Sequence, residues 1–247
     1  MKKISVCLAT YNGEKYIEEQ IKSIINQTVK VDEIIISDNI SDDNTKILIN
    51  KLDTEIKIID FYKQGRVALN FENALKCSSG DIIFLCDQDD VWKNTKVEEC
   101  LKALEHSDVV IHNATLVDEK LQKINEKSFF ECNGIRKGLF NNIFKSSYLG
   151  CSMAFKKEIL MKALPFPKDF DTSAKPIVHG HDTWIGLIGN LYGNVVYLDK
   201  ELILYRRHSL AVSESGFKSK RNIKEKLIWR WVLLKNLMMR KLENGGN

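Results

Sequence analysis

The first 113 residues alternate between short apolar runs and longer stretches in which apolar residues recur at helical spacing. Apolar or β-branched runs predict strands over residues 4–9, 33–37, 56–61, 81–86 and 109–112. Helical spacing predicts helices over residues 13–27, 45–52, 68–76 and 93–105. Because strands and helices alternate with short connections, the pattern predicts βαβ units and a mostly parallel sheet covered by helices on both faces.

The regular alternation of strand and helix patterns ends after residue 113. Residues 115–145 are polar and irregular, and residues 168–180 indicate a loop. Later runs predict strands over residues 149–155, 195–198 and 202–205 and a helix over residues 181–191, while Pro165 and Pro167 interrupt the intervening helix. No segment repeats and no linker divides the chain. We therefore predict one α/β domain over residues 1–216 and a helical tail over residues 217–247.

The predicted tail is basic and amphipathic. Residues 217–243 contain nine Lys or Arg against two Glu, a net charge of +7 in a chain whose total is +4. Five apolar residues recur at spacings of four and three: Ile223, Leu227, Trp231, Leu234 and Met238. Four cations flank this stripe: Lys224, Arg230, Lys235 and Lys241. Such a helix either lies on an anionic membrane or packs on protein, whether its own domain, a partner or the second subunit of a homodimer.

The composition narrows the class of protein. The chain has 247 residues, of which 44% are hydrophobic and 28% charged, as in ordinary globular proteins. Outside the tail the chain is slightly acidic, which argues against general nucleic-acid binding. The six cysteines form no Cys-x-x-Cys pair, and no signal-peptide core or apolar run of about 18 residues is found. These features predict a reduced cytoplasmic protein, held at the inner face of the plasma membrane if its tail binds lipid.

The strand predicted over residues 81–86 ends in an acidic loop, Asp-Gln-Asp-Asp-Val-Trp, at residues 87–92. Crowding the carboxylates of Asp87, Asp89 and Asp90 is unfavourable unless a cation binds between them. Hard oxygen ligands suit Mg²⁺ or Mn²⁺, and either ion could carry a diphosphate. The loop therefore predicts a divalent-metal site.

Two further polar clusters follow predicted strands, residues 10–13 after the first and residues 38–44 after the second. In an open α/β sheet the carboxyl ends of parallel strands form the ligand-binding edge. Taken alone, the first cluster is also compatible with a helix cap and the second with a polar turn. The chain has neither the Gly-x-Gly-x-x-Gly dinucleotide fingerprint nor a P-loop, so a carboxylate-held metal is the expected route to a diphosphate.

These motifs together resemble family 2 glycosyltransferases of the GT-A fold. The resemblance spans roughly residues 3–216 and is carried by residues 4–13, 36–38, 84–92, 150–155, 181–184 and 205–208. The motif Asp-Gln-Asp-Asp-Val-Trp is most similar to that of bacterial rhamnosyltransferase-like members. The resemblance to this family implies a Rossmann-like central sheet. It also implies an inverting transfer of a sugar from a nucleoside diphosphate, with dTDP-rhamnose or a UDP-sugar as donor.

The resemblance also implies roles for individual residues. The implied donor-binding residues are Thr10, Tyr11, Asn12, Asp38, Asp87, Arg206 and His208. The implied metal ligands are Asp89, Asp87 and His208, with Asp89 the direct ligand. Asp182 matches the general base, although an Asp at the head of a helix is also an ordinary cap. The implied acceptor-side residues are Trp184, Cys151 and His181, of which Trp184 is alternatively an apolar anchor and Cys151 a core residue.

The sequence departs from the family pattern at three places. Asn39 follows Asp38 where a second Asp is frequent, residues 63–65 replace a common Asn-x-Gly, and Arg207 stands in a late motif that usually carries Gln. These departures concern nucleotide preference and diphosphate contacts. The expected partners are a nucleotide-sugar donor and a glycan or lipid-linked acceptor of bacterial surface polysaccharide synthesis. A noncatalytic nucleotide- or glycan-binding subunit and a nucleotidyltransferase are the alternatives.

Overall fold

The computed structural model describes residues 2–52, 55–63, 66–171, 180–207 and 222–245. The strands are β1 (Ile4–Thr10), β2 (Glu33–Asp38), β3 (Ile56–Asp60), β4 (Ile82–Cys86), β5 (Val91–Trp92), β6 (Val109–Val117), β7 (Met153–Lys156) and β8 (Val195–Arg206). The helices are α1 (Ile17–Ile25), α2 (Thr45–Asn50), α3 (Val67–Lys76), α4 (Lys96–Leu104), α5 (Phe129–Asn133), α6 (Leu139–Phe144), α7 (Lys157–Ala163), α8 (His181–Tyr192) and α9 (Ile223–Gly245). Within these ranges the strands form one sheet in the order β3-β2-β1-β4-β7-β6-β8-β5.

The half of the sheet formed by β3, β2, β1 and β4 is parallel, and helices connect its strands. Every residue of β4 is buried, as expected for a central strand covered on both faces. The predicted α/β class is confirmed, and the predicted strands of this half agree with the observed ones to within one residue at either end. The parallel arrangement brings the carboxyl ends of β1, β2 and β4 to the same edge.

The other half of the sheet is mixed rather than parallel. β7 lies between β4 and β6 and runs antiparallel to both. The first part of the strand predicted over residues 149–155 is instead a 3₁₀ turn, Gly150–Ser152, which contacts β4, β6 and α8. This turn therefore lies against β4 immediately before the chain enters β7.

β6 and β8 are longer than their apolar patterns predict. β6 continues beyond His112 to Val117, and β8 joins the two short strands expected at 195–198 and 202–205. The register between them shifts at Asn113, whose side chain donates to Asp199 Oδ1 at 2.7 Å. Thr115 likewise donates to Glu201. The polar residues of β6 thus find hydrogen-bond partners on β8. Because they interrupt the apolar run, the hydrophobic pattern does not reveal the full length of these strands.

The polar stretch expected to be irregular contains the short helices α5 and α6. Ser128 and Glu131 form a capping box at the start of α5, with Ser128 Oγ accepting from the Glu131 N–H and the Glu131 carboxylate accepting from the Ser128 N–H. Such a motif provides hydrogen bonds for the first N–H groups of a helix even where its apolar face is short. Local capping therefore defines a helix that hydrophobic spacing does not reveal.

Helix α9 packs on the body of the protein. Leu233 and Leu237 are buried, and the Arg240 guanidinium donates to the carbonyl oxygens of Lys162, Leu164 and Pro165 at 2.7, 2.9 and 2.5 Å. The predicted boundary between domain and tail at residue 216 lies outside the described residues. Among the helices described, none is long and apolar enough to cross a membrane.

Candidate active site

The carboxyl ends of β1 and β2 meet as neighbours, with Thr10 paired opposite Asp38. The Asn39 N–H donates to the Thr10 carbonyl oxygen at 2.9 Å, and the Asn70 side chain donates to the same oxygen at 3.2 Å. β4 flanks the other side of β1, with Cys86 opposite Leu8. The two predicted polar clusters and the acidic loop are therefore brought to one edge of the sheet.

Asp38 is completely buried and held by polar partners. Its two carboxylate oxygens accept from the Ser41 hydroxyl at 2.6 Å and the Ser41 N–H at 2.9 Å. Lys46 lies 3.4 Å away and also pairs with Asp60 at 2.5 Å. Within the described residues, the Asn39 Oδ1 next to it is buried without a hydrogen-bond partner. Such an orphaned acceptor is a candidate contact for a bound ligand.

Gln88, the spacer between Asp87 and Asp89, joins the acidic loop to the loop after β1. Its Oε1 accepts from the Thr10 hydroxyl at 2.7 Å and the Tyr11 N–H at 2.8 Å, and its Nε2 donates to the Tyr11 carbonyl at 3.1 Å. A Cβ on Gly13 would lie 2.8 Å from Gln88 Oε1, so glycine is required there. The sequence analysis assigned no role to Gln88, although its place inside the motif was a usable signal.

Tyr11 and Asn12 form the outer part of this loop. The Tyr11 ring is exposed, whereas Asn12 adopts a positive φ of 47°. The Asn12 N–H donates to Ser41 Oγ at 2.9 Å, and its side-chain oxygen accepts from the Asp42 N–H at 3.1 Å. Asparagine tolerates this left-handed conformation better than most residues. Asn12 thus connects the loops after β1 and β2, while Tyr11 remains available to a ligand.

The acidic loop concentrates carboxylates near a thiol. An oxygen of Asp87, an oxygen of Asp90 and the Cys151 Sγ all lie within 4.8 Å of one another. Burial, followed by the charges of Asp89 and Asp182, raises the pKa of Asp87 to about 7. Burial, followed by the charges of Asp89 and Asp87, raises the pKa of Asp90 well above its ordinary value. This is the unfavourable crowding that a cation would relieve.

The residues present fit a hard divalent cation. Asp87 and Asp89 supply the oxygen ligands that Mg²⁺ and Mn²⁺ prefer. Asp90 points inward, where its Oδ1 accepts from the Arg206 N–H at 2.9 Å. Its Oδ2 is buried and has no partner among the described residues. The thiol of Cys151 is a soft ligand whose pKa is raised by burial, so we assign Asp87 and Asp89 as the residues that would hold the metal.

A buried lysine underlies the acidic loop. Lys96 is fully buried, its ammonium donates to the Cys151 carbonyl at 2.7 Å, and it lies 3.7 Å from the centroid of the Trp92 ring. Burial lowers its pKa, while nearby Cys86, Cys100, Cys151 and Asp90 act in the opposite direction. The sequence analysis assigned it no role, because one lysine at the start of a helix is indistinguishable from a solvated one.

His181 and Asp182 occupy the first turn of α8. His181 stacks on Phe71 with ring centroids 3.7 Å apart, and burial lowers its pKa to about 3. A Cβ on Gly150 would lie 2.6 Å from His181 Nε2, so the 3₁₀ turn packs directly on this ring. Asp182 Oδ1 accepts from the Thr183 N–H at 2.6 Å, and burial raises the pKa of Asp182. A Cβ on Gly150 would lie 3.5 Å from Asp182 Cβ, and the turn that contains Gly150 also contacts β4, so Asp182 lies on the side of α8 that meets the end of β4.

Arg206 is buried and anchors the loop from behind. Its guanidinium donates to the carbonyl oxygens of Asp89 at 2.7 Å and Glu119 at 2.5 Å, and forms an ion pair with Glu19 at 2.5 Å. The guanidinium also lies 4.6 Å from the centroid of the Tyr16 ring. In this structure Arg206 therefore organises the acidic loop through its backbone, and a diphosphate contact from it stays a prediction.

Trp184 and Cys151 are buried rather than open to a ligand. Trp184 is completely buried and its indole N–H donates to the Ala163 carbonyl at 2.9 Å, so it offers an acceptor no surface here. Cys151 is also completely buried and contributes to the floor beneath the acidic loop. The His208 prediction lies outside the described residues, as do residues 64 and 65 of the departure from Asn-x-Gly.

Three bacterial relatives cover most of the chain. An uncharacterized glycosyltransferase of Nostoc sp. is 28% identical over 79% of this chain and 64% of its own length. The dTDP-rhamnosyl transferase RfbG of Shigella flexneri is 28% identical over 81% of this chain and 71% of its own. The β-1,3-glucosyltransferase WfgD of Escherichia coli, named for UDP-Glc and GlcNAc-diphosphoundecaprenol, is 26% identical over 87% of this chain and 81% of its own.

Solved structures share the fold. TarS residues 1–349 from S. aureus, in complex with UDP, superposes with a TM-score of 0.65 at 20% identity, covering 95% of this chain and 66% of that chain. Glucosyl-3-phosphoglycerate synthase from Mycobacterium tuberculosis, in complex with Mn²⁺, UDP and glucosyl-3-phosphoglycerate, gives a TM-score of 0.54 at 18% identity, covering 97% and 80%. The architecture is therefore that of the GT-A enzymes.

The family model for glycosyl transferase family 2 matches residues 5–164. That range includes the ends of β1, β2 and β4 together with the acidic loop and Cys151. It stops before α8 and β8, so Asp182 and Arg206 lie beyond it. The match covers more than half of the chain, and on this evidence the protein belongs to glycosyl transferase family 2.

Proposed function

We propose that the chain is a metal-dependent, inverting glycosyltransferase that moves a sugar from a nucleoside diphosphate to a glycan or lipid-linked acceptor of bacterial surface polysaccharide. The observation that carries this proposal is that the 150–152 turn, which contacts β4, packs on the first turn of α8, where Asp182 Cβ would lie 3.5 Å from a Cβ on Gly150. A base and a cation-binding loop at one sheet edge are the two parts that an inverting transfer needs.

The nucleoside end of the donor is assigned to the loops after β1 and β2. Asp38 and the orphaned Asn39 oxygen provide acceptors, and the exposed Tyr11 ring provides a stacking surface. Relatives named for dTDP-rhamnosyl and UDP-Glc transfer support a pyrimidine nucleotide. Both bases carry the same N3–H donor and flanking carbonyl acceptors, so these residues alone do not select between dTDP-rhamnose and a UDP-sugar.

The diphosphate is assigned to the Asp87–Asp89 loop. Bound Mg²⁺ or Mn²⁺ would neutralise charge on the donor phosphates and on the departing nucleoside diphosphate. Gln88 holds the loop through its side-chain oxygen, and Arg206 holds it through the Asp89 carbonyl oxygen. Two loop anchors on opposite sides reduce the reorganisation needed when the donor binds.

Asp182 is assigned as the general base. It would take the proton of the acceptor hydroxyl while the oxygen attacks the anomeric carbon on the face opposite the leaving nucleoside diphosphate. Burial raises the pKa of this carboxyl, which makes it a stronger base than an exposed aspartate. Its neighbour His181 stays neutral because burial lowers the pKa of the imidazole, so this ring adds no positive charge that would weaken Asp182 as a base. The relative acting on GlcNAc-diphosphoundecaprenol supports a lipid-linked acceptor.

The assignment of Asp182 is tested by Asp182→Asn. The amide preserves the shape and the hydrogen bond to Thr183 but cannot take a proton. We expect kcat to fall by about 10²–10⁴-fold while the donor dissociation constant changes little. Calorimetry with a panel of dTDP- and UDP-sugars, with and without Mn²⁺, would identify the donor and measure its affinity; a transfer assay would measure kcat.

Glu105→Gln is the matched control, because it removes the same charge at an exposed position between the end of α4 and the start of β6, which is the opposite edge of the sheet. Turnover of Asp182→Asn equal to that of the control would exclude Asp182 as the base. Donor binding by the unmodified protein without transfer to any glycan or lipid-linked acceptor would instead favour a noncatalytic binding subunit.

A further inference from the structure

Helix α9 presents an apolar face to the exterior. Seven large apolar side chains of this helix are exposed: Ile223, Leu227, Ile228, Trp231, Met238, Met239 and Leu242. Trp231 is 68% exposed, although indole is among the most costly groups to leave in water. Together with the exposed Lys224, Lys235 and Lys241 of the same side, these residues constitute the outward face of α9.

The direction of the outward face is fixed by the opposite side of the helix. Leu233 and Leu237 are buried, Asn236 donates to Asp169 Oδ2 at 2.8 Å, and Arg240 donates to three carbonyl oxygens of the body. The helix therefore packs through a stripe centred on Leu233 and Leu237. Four of the five residues in the stripe predicted from sequence point away from the body instead, so packing on the protein's own domain does not cover them.

The charges of the outward face have one sign. The glutamates of α9 are engaged elsewhere, because Glu225 accepts from the Asn222 N–H at 2.9 Å and Glu243 pairs with Arg240 at 3.1 Å. Lysine stems can lie along an apolar surface while their ammonium groups reach the phosphates at its boundary. A surface that combines apolar groups, tryptophan and lysine is complementary to the headgroup region of an anionic bilayer.

The same charges argue against a second copy of the chain. In a two-fold symmetric contact the outward face would meet itself, so the three lysines of one copy would face the three of the other. Like charges desolvated together are unfavourable without counter-charges, and within the described part of α9 that face offers no carboxylate. A bilayer with anionic headgroups supplies these counter-charges.

Exposed aromatic side chains extend the surface beside α9. Phe140 and Phe144 lie four residues apart on α6 and are 76% and 62% exposed. Arg230 joins the two helices, since its guanidinium lies 5.0 Å from the centroid of the Phe144 ring and donates to the Phe144 carbonyl at 3.3 Å. Exposed large apolar side chains thus occur on both of these packed helices, and clustered exposed apolar residues are a mark of an interaction site.

We propose that the outward face of α9, with Phe140 and Phe144, docks on the surface of an anionic lipid bilayer. The helix lies in the plane of the headgroups, its apolar side chains reach the acyl boundary and its lysines pair with lipid phosphates. This contact keeps the protein at the surface where a lipid-linked molecule would be found. It is independent of the donor site.

The experiment measures partitioning of the full chain onto sedimenting vesicles of phosphatidylcholine, with and without about 30% phosphatidylglycerol. We expect binding to the anionic vesicles only, weakening as salt rises because the lysine contribution is screened. Each lysine near an anionic surface contributes about fivefold in partitioning. The variant K224Q/K235Q/K241Q should therefore lose at least about tenfold.

The control variant K22Q/K57Q/K102Q removes the same charge from exposed positions elsewhere and should keep the unmodified partitioning. Trp231→Gln should also reduce partitioning, and brominated lipids should quench the tryptophan emission of the unmodified protein more than that of this variant. Equal losses in the two triple variants, or equal binding to neutral vesicles, would overturn the proposal. So would a concentration-dependent dimer that Trp231→Gln abolishes in a protein that does not bind vesicles.

Discussion

At the scale of single residues, the site depends on side chains that lie behind the acidic loop as much as on those within it. Lys96 is the clearest case, because its ammonium is the buried positive charge placed between the Cys151 carbonyl and the Trp92 ring. Its positive charge partly offsets the negative charge of the Asp87 and Asp90 carboxylates from the interior of the protein. Part of the negative charge of this loop is thus neutralised from within the protein, whether or not a cation binds.

Replacing Lys96 by Met should destabilise the fold. The substitution keeps much of the volume but leaves buried carboxylates without their internal counter-charge, so we expect the free energy of unfolding to fall by about 3 kcal/mol. Urea denaturation would measure it, with Lys102→Met as a control on the same helix, where the side chain is 59% exposed. Mn²⁺ should raise the Tm of Lys96→Met more than that of the unmodified protein, because the ion replaces the lost positive charge. A loss no larger than that of the control would rule out this role.

The acidic residues, Thr10 and Asp38 could be recognised from sequence because each follows an apolar run that ends abruptly. Gln88 and Lys96 could not be recognised in that way. Gln88 acts through three hydrogen bonds to another loop, and Lys96 acts through its burial, which a sequence pattern does not report. Residues whose role depends on partners far along the chain are therefore the ones that pattern analysis misses.

At the scale of elements, the 3₁₀ turn Gly150–Ser152 connects the sheet to α8, whose first turn carries the proposed base. It precedes β7, lies beneath β4 and packs against the first residue of α8. The position of Asp182 thus depends on this turn, which appears in the sequence motif only as the tripeptide Gly-Cys-Ser. Crowding this contact should displace Asp182 without changing any group that reacts.

Gly150→Ala is the corresponding prediction. Its Cβ would lie 2.6 Å from His181 Nε2, and the ring cannot retreat because it stacks on Phe71. A displacement of about 1 Å at the base can cost about 10²-fold, so we expect kcat to fall by roughly that factor while the KM for donor stays within about twofold. Steady-state kinetics below the unfolding temperature of the variant would measure both.

Gly189→Ala is the matched control for that variant. It crowds the same helix eight residues later, where the added Cβ would lie 2.6 Å from Val109 Cγ2. It should lower stability but leave kcat largely unchanged, since that site lies about 12 Å further along the helix axis. If both variants lost kcat equally, the effect would reflect the stability of α8 rather than the position of its first turn.

The alternating elements of the parallel half were predictable because strands buried on both faces and amphipathic helices both leave strong periodic patterns. β6 and β8 were predicted as shorter pieces, since Asn113 and Thr115 interrupt the apolar run and are satisfied by hydrogen bonds to β8. β5, only Val91–Trp92, was missed because two residues carry no period. The direction of β7 was also beyond the pattern, which reports strands and not their orientation.

At the scale of the whole molecule, buried ionisable groups couple folding to pH. Burial lowers the pKa of His181 from 6.5 to about 3, so the folded protein keeps this imidazole neutral where the unfolded chain would protonate it. The stability that His181 contributes is complete above pH 6.5 and is lost progressively as pH falls toward 3. The raised pKa of Asp87 acts in the opposite direction, since the folded state binds that proton more tightly.

The contribution of His181 is therefore isolated by comparison with His181→Gln, which does not titrate. Between pH 7 and pH 5 the stability difference between the unmodified protein and the variant should shift by about 2 kcal/mol in favour of the variant. Urea denaturation at both pH values would measure this shift. A difference that stays constant with pH would mean that the imidazole is protonated equally in the folded and unfolded states.

The place of β8 in the sheet has a consequence for any shortened version of this protein. β8 is hydrogen-bonded to β6 on one side and to β5 on the other, and its last residue, Arg206, anchors the loop that follows β4. A fragment cut at residue 164, where the family match ends, would leave β6 with a bare edge and that loop without its tether. Open edges recruit other chains. The segment that the family model matches is thus shorter than the unit that keeps β6 paired with β8 and this loop attached to Arg206.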